Sequence, residues 1–338
     1  MKYLKYLILV FILVGGFLAF RMYNFIFGPS VQENTALFIS SGSTYEELIQ
    51  ILADKHLIKQ PTIFLALAEK MNLPNHVHGG HYIIEQGTSY YDLIVQLRGG
   101  MQTPVKMVIN NVNFKTDLSA KIASQLELDS TAVMSVFGNT SNIEHLGFTE
   151  DEFLCLFIPN TYEMYWNIGL DALLEKFVGF YEEFWSTSRK EQATALGLTP
   201  NEVFILASIV EKEYKYVDER SRIAGVYLNR LEKGMKLQAD PTVKFALGDL
   251  SIKRVLTVHT EYDHPYNTYY YADLPPGPIC LPETSTIDAV LHAEKHNYLY
   301  FCAKEDLSGY HTFSTNYNDH LKAARLYQAA LNKLHIYE

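Results

Sequence analysis

Two carboxylates close an apolar helix. The run T-P-N-E-V-F-I-L-A-S-I-V-E-K-E is apolar on every side from Val203 to Val210 and then ends in Glu211, Lys212 and Glu213. An ionised acid is poorly placed there, because the partial negative charge of a helix C-terminus disfavours it by roughly 0.3–1 kcal/mol. Helical spacing sets Glu211 on the face of Phe204, Ala207 and Ser208, and Glu213 on that of Leu206, Ile209 and Val210. Either carboxyl can lie against apolar surface, where desolvation raises its pKa and suits it to give a proton near neutral pH. The plainer alternative sends both out to solvent, the usual fate of acids.

Three short helices must position this pair. Thr199 with Glu202 forms a capping box, and Pro200 suits the first helical position. Asp218 is placed to cap a second helix that Gly234 ends, and Asp240 to cap a third, with Pro241 behind it and Gly248 closing it.

The sequence A-S-I-V-E-K-E, followed by N-R-L-E-K-G-M-K-L-Q-A-D-P-T-V, closely resembles the endolytic murein transglycosylases of the YceG-like family. The likeness continues through Y-N-T-Y (Tyr266 to Tyr269), L-P-P-G-P-I (Leu274 to Ile279) and Y-L-Y-F (Tyr298 to Phe301). Upstream, I-P-N-T-Y (Ile158 to Tyr162) is similar to the family's proline–acid–Thr-Tyr turn, with Asn160 where an Asp is usual. These motifs cover most of the chain after residue 155.

Ordinary glycosidases set two carboxylates across the bond, an acid and a base or nucleophile. The resemblance implies a leaner reaction. One Glu serves as acid to the leaving sugar oxygen, then as base to the substrate's own C6 hydroxyl, which closes a 1,6-anhydro ring on N-acetylmuramic acid. The nucleophile starts beside its target, so no water need be brought in. Carried over from the first Glu of I-V-E-K-E, Glu211 is the expected catalytic residue, and Glu213 a structural partner of Lys212 or of the next helix. The motif positions expected to bind sugar are Asn229, Gln238, Asp240, Tyr266, Asn267, Thr268 and Tyr269. Asp240 and Asn229 also have purely structural readings, as a cap and as helix packing. The alternatives are a hydrolase with Asp240 as base for water, and a membrane-anchored glycan-binding scaffold without catalysis. The implied partners are peptidoglycan glycan strands, the bilayer and the peptidoglycan synthases, and no cofactor is implied.

The 338 residues allow two or three domains. A net charge of −10 without a basic cluster argues against nucleic acid. Cys155, Cys280 and Cys302 stand at no metal spacing in apolar surroundings and read as buried free thiols. His292 and His296 have the i, i+4 spacing of zinc ligands on a helix, but Ala293 stands where the zincin pattern needs Glu. No metal is expected.

Residues 1–28 read as a membrane anchor. The uncharged run Tyr6–Phe20 lies between Lys5 and Arg21, which can snorkel to opposite interfaces. No A-x-A cleavage site is evident, and the lysines ahead of the run put the N-terminus in the cytoplasm and the body outside it, on the periplasmic side.

From Ile39 a degenerate repeat begins. I-S-S-G-S-T-Y-E-E-L-I-Q-I-L starts at Ile39 and I-E-Q-G-T-S-Y-Y-D-L-I-V-Q-L at Ile84, an offset of 84 − 39 = 45, with a weaker copy at Ile109. Each reads as a strand, a turn and a capped helix, and the unit resembles a LysM module, a fold that grips N-acetylglucosamine. A plain βα spacer is the other reading. The expected architecture is α+β: anchor 1–28, LysM-like domain 33–104 and catalytic domain 105–338.

Overall fold

The computed structural model describes residues 2–333. It is a mixed α/β chain in two compact units. The first holds the described residues up to Met107, with Ala123–Leu128 and Tyr162–Gly169; the second holds Val108–Ile122, Asp129–Thr161 and the described residues from Leu170 onward. Two later segments thus belong with the N-terminal part of the chain.

The first unit begins with α1 (Lys2–Phe27), of which Tyr3–Phe27 is apolar and long enough to cross a bilayer. At 1.5 Å rise per residue it exceeds the ~30 Å hydrocarbon thickness. The uncharged run is only the middle of this helix, with Lys5 and Arg21 both inside it. Strand β1 (Thr35–Ile39) pairs antiparallel with β2 (Gly80–Ile84), Thr35 opposite Ile84 and Ile39 opposite Gly80. Alternation turns Leu37, Ile39, Tyr82 and Ile84 inward. Helices α2 (Tyr45–Asp54), α3 (Pro61–Lys70) and α4 (Tyr90–Arg98) add Leu48 and Leu52, Phe64 and Ala68, and Leu93 and Leu97 to the same core. The two clear repeat copies fold alike. Thr44 and Glu47 complete a capping box, Ser89 accepts from the Asp92 amide, and Gly42 and Gly87 take positive φ in the turns before the helices.

Strand β3 (Val105–Ile109) and helix α5 (Lys115–Ala123) make the third copy. Asp117 accepts from the amides of Asn113 and Phe114, both at 3.0 Å, which is the acid's half of a capping box, while Phe114 stands where the first two copies have Thr or Ser. Then follow α6 (Ser130–Phe137), α7 (Thr140–His145) and β4 (Asn160–Met164), which pairs with β3. The I-P-N-T-Y segment runs straight into that strand.

The second unit is built around one buried helix. After α8 (Leu170–Phe184) and α9 (Thr187–Ala195) comes α10 (Pro200–Glu211), with every residue from Val203 to Val210 buried. Its capping box forms as expected, the Thr199 amide donating to Glu202 Oε2 at 2.7 Å. Then come α11 (Arg220–Glu232), α12 (Asp240–Ala246), α13 (Thr257–Thr260) and α14 (Thr284–Leu291), of which α11 and α14 pack on α10. Strands β5 (Tyr300–Ala303) and β6 (His311–Ser314) form an antiparallel hairpin, Ala303 opposite His311, backed by α15 (Tyr317–Lys333).

Two expected caps differ. Asp218 lies within the turn Val217–Glu219 ahead of α11, and Asp240 is already the first residue of α12, behind Ala239. Neither helix receives a side-chain cap. His292 and His296 do not share a helix, because α14 ends at Leu291. Cys155 and Cys280 are buried free thiols, and Cys302 is a partly buried one.

Candidate active site

Helix α10 stops at Glu211 and Lys212 caps it, so the two acids leave in different directions. Glu211 turns to α14. Its Oε2 accepts the Thr286 hydroxyl at 2.5 Å and the Glu283 amide at 3.3 Å, and its Oε1 accepts the Tyr214 hydroxyl at 3.3 Å. Glu283 is the N-cap of α14, so this carboxylate sits where a helix N-terminus favours negative charge. It ties two core helices together.

Glu213 lies in the wall of a cavity of about 430 Å³, with Tyr227, Arg230, Gln238, Asp240 and Tyr269 among its neighbours in the lining. Tyr227 donates to its Oε1 at 3.0 Å. Burial lifts the Glu213 carboxyl from its ordinary 4.5 to about 7, against the opposing Tyr227 hydrogen bond; Asp240 adds to the rise, and Lys244 and Arg230 oppose it. Burial also holds the Tyr227 and Tyr269 phenols well above their ordinary value, so both remain donors.

The remaining expected site residues divide. Tyr269 donates to Asp240 Oδ1 at 2.7 Å within the cavity, and Gln238 joins them from a left-handed backbone position at φ 51°. Asn267, Thr268 and Tyr266 serve the frame. Asn267, fully buried, donates to the carbonyls of Thr260 (3.1 Å) and Tyr262 (2.7 Å) and accepts from the Tyr269 amide. Thr268 accepts from the Ala239 amide at 3.0 Å and meets the Thr242 hydroxyl at 2.9 Å, which sets the loop before α12. Tyr266 donates to Asp151 and packs on Phe245. A Cβ on Gly277 would stand 2.6 Å from that phenol oxygen and 2.1 Å from the Asp151 carbonyl, so L-P-P-G-P-I needs its glycine. Asn229 faces elsewhere, holding the carbonyls of His296 and Tyr298 at 2.8 and 3.0 Å.

Residue spacing did not single out Arg230, Tyr300, His311, Tyr317 or His320, all of which line the cavity. Arg230 donates to the carbonyls of Leu299 (2.6 Å) and Leu237 (2.7 Å), and its guanidinium lies 5.0 Å from the Tyr300 ring. The signal for Arg230 and Tyr300 was present, since each sits inside a quoted motif. His320 stacks on Tyr300 at 5.3 Å, and burial with Arg230 nearby holds its pKa down, so the ring is neutral.

The model of the YceG-like family matches residues 37–326. The chain belongs to the YceG-like family. Among its relatives is an endolytic murein transglycosylase of Bacillus subtilis, 35% identical over 164 residues, covering 48% of this chain and 43% of the relative. A Streptococcus pneumoniae protein of the same name is 26% identical over 316 residues, covering 83% of this chain and 56% of its own length. This YceG-like chain therefore spans about half the length of both. A crystal structure of a YceG-like protein from Listeria monocytogenes superposes with a TM-score of 0.57 at 27% identity, covering 86% of this chain and 98% of that one. The matched region holds both acids, every residue named in the cavity lining, and the repeat.

Proposed function

We propose that this chain is a lytic transglycosylase that cuts peptidoglycan strands internally at N-acetylmuramic acid, with Glu213 as both acid and base. The observation that carries the reading is a carboxyl raised to about 7 in the wall of a polar cavity, able to hold a proton at neutral pH and to give it up. The names of the two relatives support the same substrate and reaction.

Tyr227 occupies Oε1, which leaves Oε2 to carry the proton. That proton passes to the glycosidic oxygen as its bond to the anomeric carbon breaks. The C6 hydroxyl of the same sugar attacks the anomeric carbon, and its proton returns to Glu213. The bond lost is C1–O4 and the bond gained is C1–O6; no water is consumed and the acid is regenerated. Gln238, Asp240 and Tyr269 supply hydrogen bonds to sugar hydroxyl and acetamido groups. Glu211 keeps the frame.

The products test this. Uncrosslinked strands digested by the protein should carry ends lighter by one water and resistant to borohydride. Reducible ends would make the enzyme a hydrolase with Asp240 as base. Release of terminal disaccharides alone would remove the internal cleavage, and no product at all would leave a glycan-binding scaffold.

Helix α1 fits a single membrane anchor. With Lys2 and Lys5 ahead of its uncharged run, we place the N-terminus in the cytoplasm and the cavity outside, where nascent strands leave the synthases and where cleavage would set their length. A reporter active only in the cytoplasm, fused after Glu338, should stay silent; activity there would reverse the topology.

A further inference from the structure

The cavity that holds Glu213 contains a second group able to exchange hydrogen bonds with a sugar, and the reaction above leaves it unused. His311 opens β6 and lines the cavity. Its partner is Glu219, whose side chain is only 3% exposed. Glu219 Oε1 accepts the backbone N–H of His311 at 2.9 Å, and its Oε2 lies 2.8 Å from the ring Nδ1. A carboxylate only accepts, so Nδ1 carries a proton. In the neutral ring the lone pair is then on Nε2, and Nε2 has no hydrogen-bond partner among the described residues. Glu219 is not part of the cavity wall, so the Nδ1 edge faces away from the cavity and the Nε2 edge is left to it.

The arrangement uses up a helix cap. Glu219 stands directly before α11, where a side chain could bind the first amides of the helix, yet it makes no such bond. Both oxygens serve His311 instead. Phe301 meets the ring edge-on at 5.3 Å and 86°, and so limits its rotation. One imidazole is thus fixed in tautomer and orientation, with a single polar atom free at a cavity that also holds Asp240, Gln238 and the raised carboxyl.

We propose that His311 is a substrate-binding residue whose Nε2 accepts a hydrogen bond from a hydroxyl or acetamido N–H of the glycan, and that Glu219 is the positioning residue that holds the accepting tautomer. The proposal rests on the glycan-cleaving reading and adds to it a hydrogen-bond acceptor that discriminates among sugars by the donor they present. It differs from a purely structural role, in which the pair only staples β6 to the start of α11.

Glu219→Gln separates the two. The Gln oxygen can still accept the His311 amide, which keeps the staple. Its NH₂ then faces Nδ1 and can only donate, so the imidazole must adopt the other tautomer and Nε2 becomes a donor. His311→Phe is the companion variant; it keeps an aromatic ring against Phe301 and removes both nitrogens. Binding of uncrosslinked glycan strands is measured calorimetrically in the full chain carrying Glu213→Gln, so that no turnover intervenes, and kcat, KM and melting temperature are measured with Glu213 intact. Both variants should weaken strand binding roughly tenfold and raise KM in proportion, with melting of Glu219→Gln near the parent. Unchanged affinity and KM in both variants, with cleavage and parent binding present, would overturn the role of His311 alone. Failure of the parent to bind or cut strands would overturn the glycan-cleaving reading and this one with it.

Discussion

Exchanging Glu213 for Gln should leave a folded protein whose cleavage rate is down by on the order of 10²–10⁴, the usual cost of losing a positioned acid–base. Gln keeps the shape and can still accept from Tyr227, but it can neither give nor take the proton. Stability should move the other way. The native carboxyl holds its proton up to about 7, while the ordinary value is 4.5. Between those values the native state binds more protons than the unfolded one, so the contribution of this group is full at low pH and lost as pH rises through about 7. Glu213→Gln should therefore match the wild type in mild acid and exceed it above neutrality, by an amount on the order of 1–3 kcal/mol. Glu211→Gln makes the contrast. It swaps an acceptor oxygen for an N–H facing Thr286 or the Glu283 amide, which should cost about 1–2 kcal/mol while cleavage stays within about tenfold. Thermal melts and initial rates of the two variants decide the matter: a dead Glu211→Gln beside an active Glu213→Gln would exchange their roles.

Arg230→Met should be the most damaging change to the frame of the site. The guanidinium is buried and binds the carbonyls of Leu299, Leu237 and Lys236, joining the strand that carries Tyr300 to the loop that carries Gln238. Met fills much of the volume but leaves those carbonyls without a donor. The expected cost is about 2–4 kcal/mol in stability, from unpaired buried acceptors. Cleavage should be largely lost even in the fraction that folds, since Gln238 and Asp240 would drift from Glu213. Lys should not rescue, because an ammonium cannot reproduce the planar fork. Denaturant melts give the first number and rates on the folded fraction the second. A variant within about 0.5 kcal/mol of wild type would show that the loop is held by something else.

The frame was more legible than the chemistry. The Thr199–Glu202 capping box and the apolar run Val203–Val210 are local signals, and they fixed α10 closely because capping and burial act within a few residues. The repeat at Ile39 and Ile84 was readable for the same reason. The acid proposed above was not. Placing Glu211 and Glu213 on helix faces assumes that the helix continues, and it stops between them. The Y-N-T-Y motif looked like a row of sugar contacts, yet only Tyr269 reaches the cavity, because Asn267 and Thr268 are consumed by backbone groups of their own loop and of residue 239. His311 gave no local signal. Its partner Glu219 lies far away in sequence, and only the β5–β6 hairpin brings them together.

To act as the acid, Glu213 must carry a proton near neutral pH. Difference infrared titration of the wild-type protein against Glu213→Gln reads that proton directly, through the C=O stretch of a protonated carboxyl. The band missing from the variant should disappear in the wild type with a midpoint at about 7. A midpoint at the ordinary 4.5 would mean that Glu213 is ionised under working conditions and cannot be the acid.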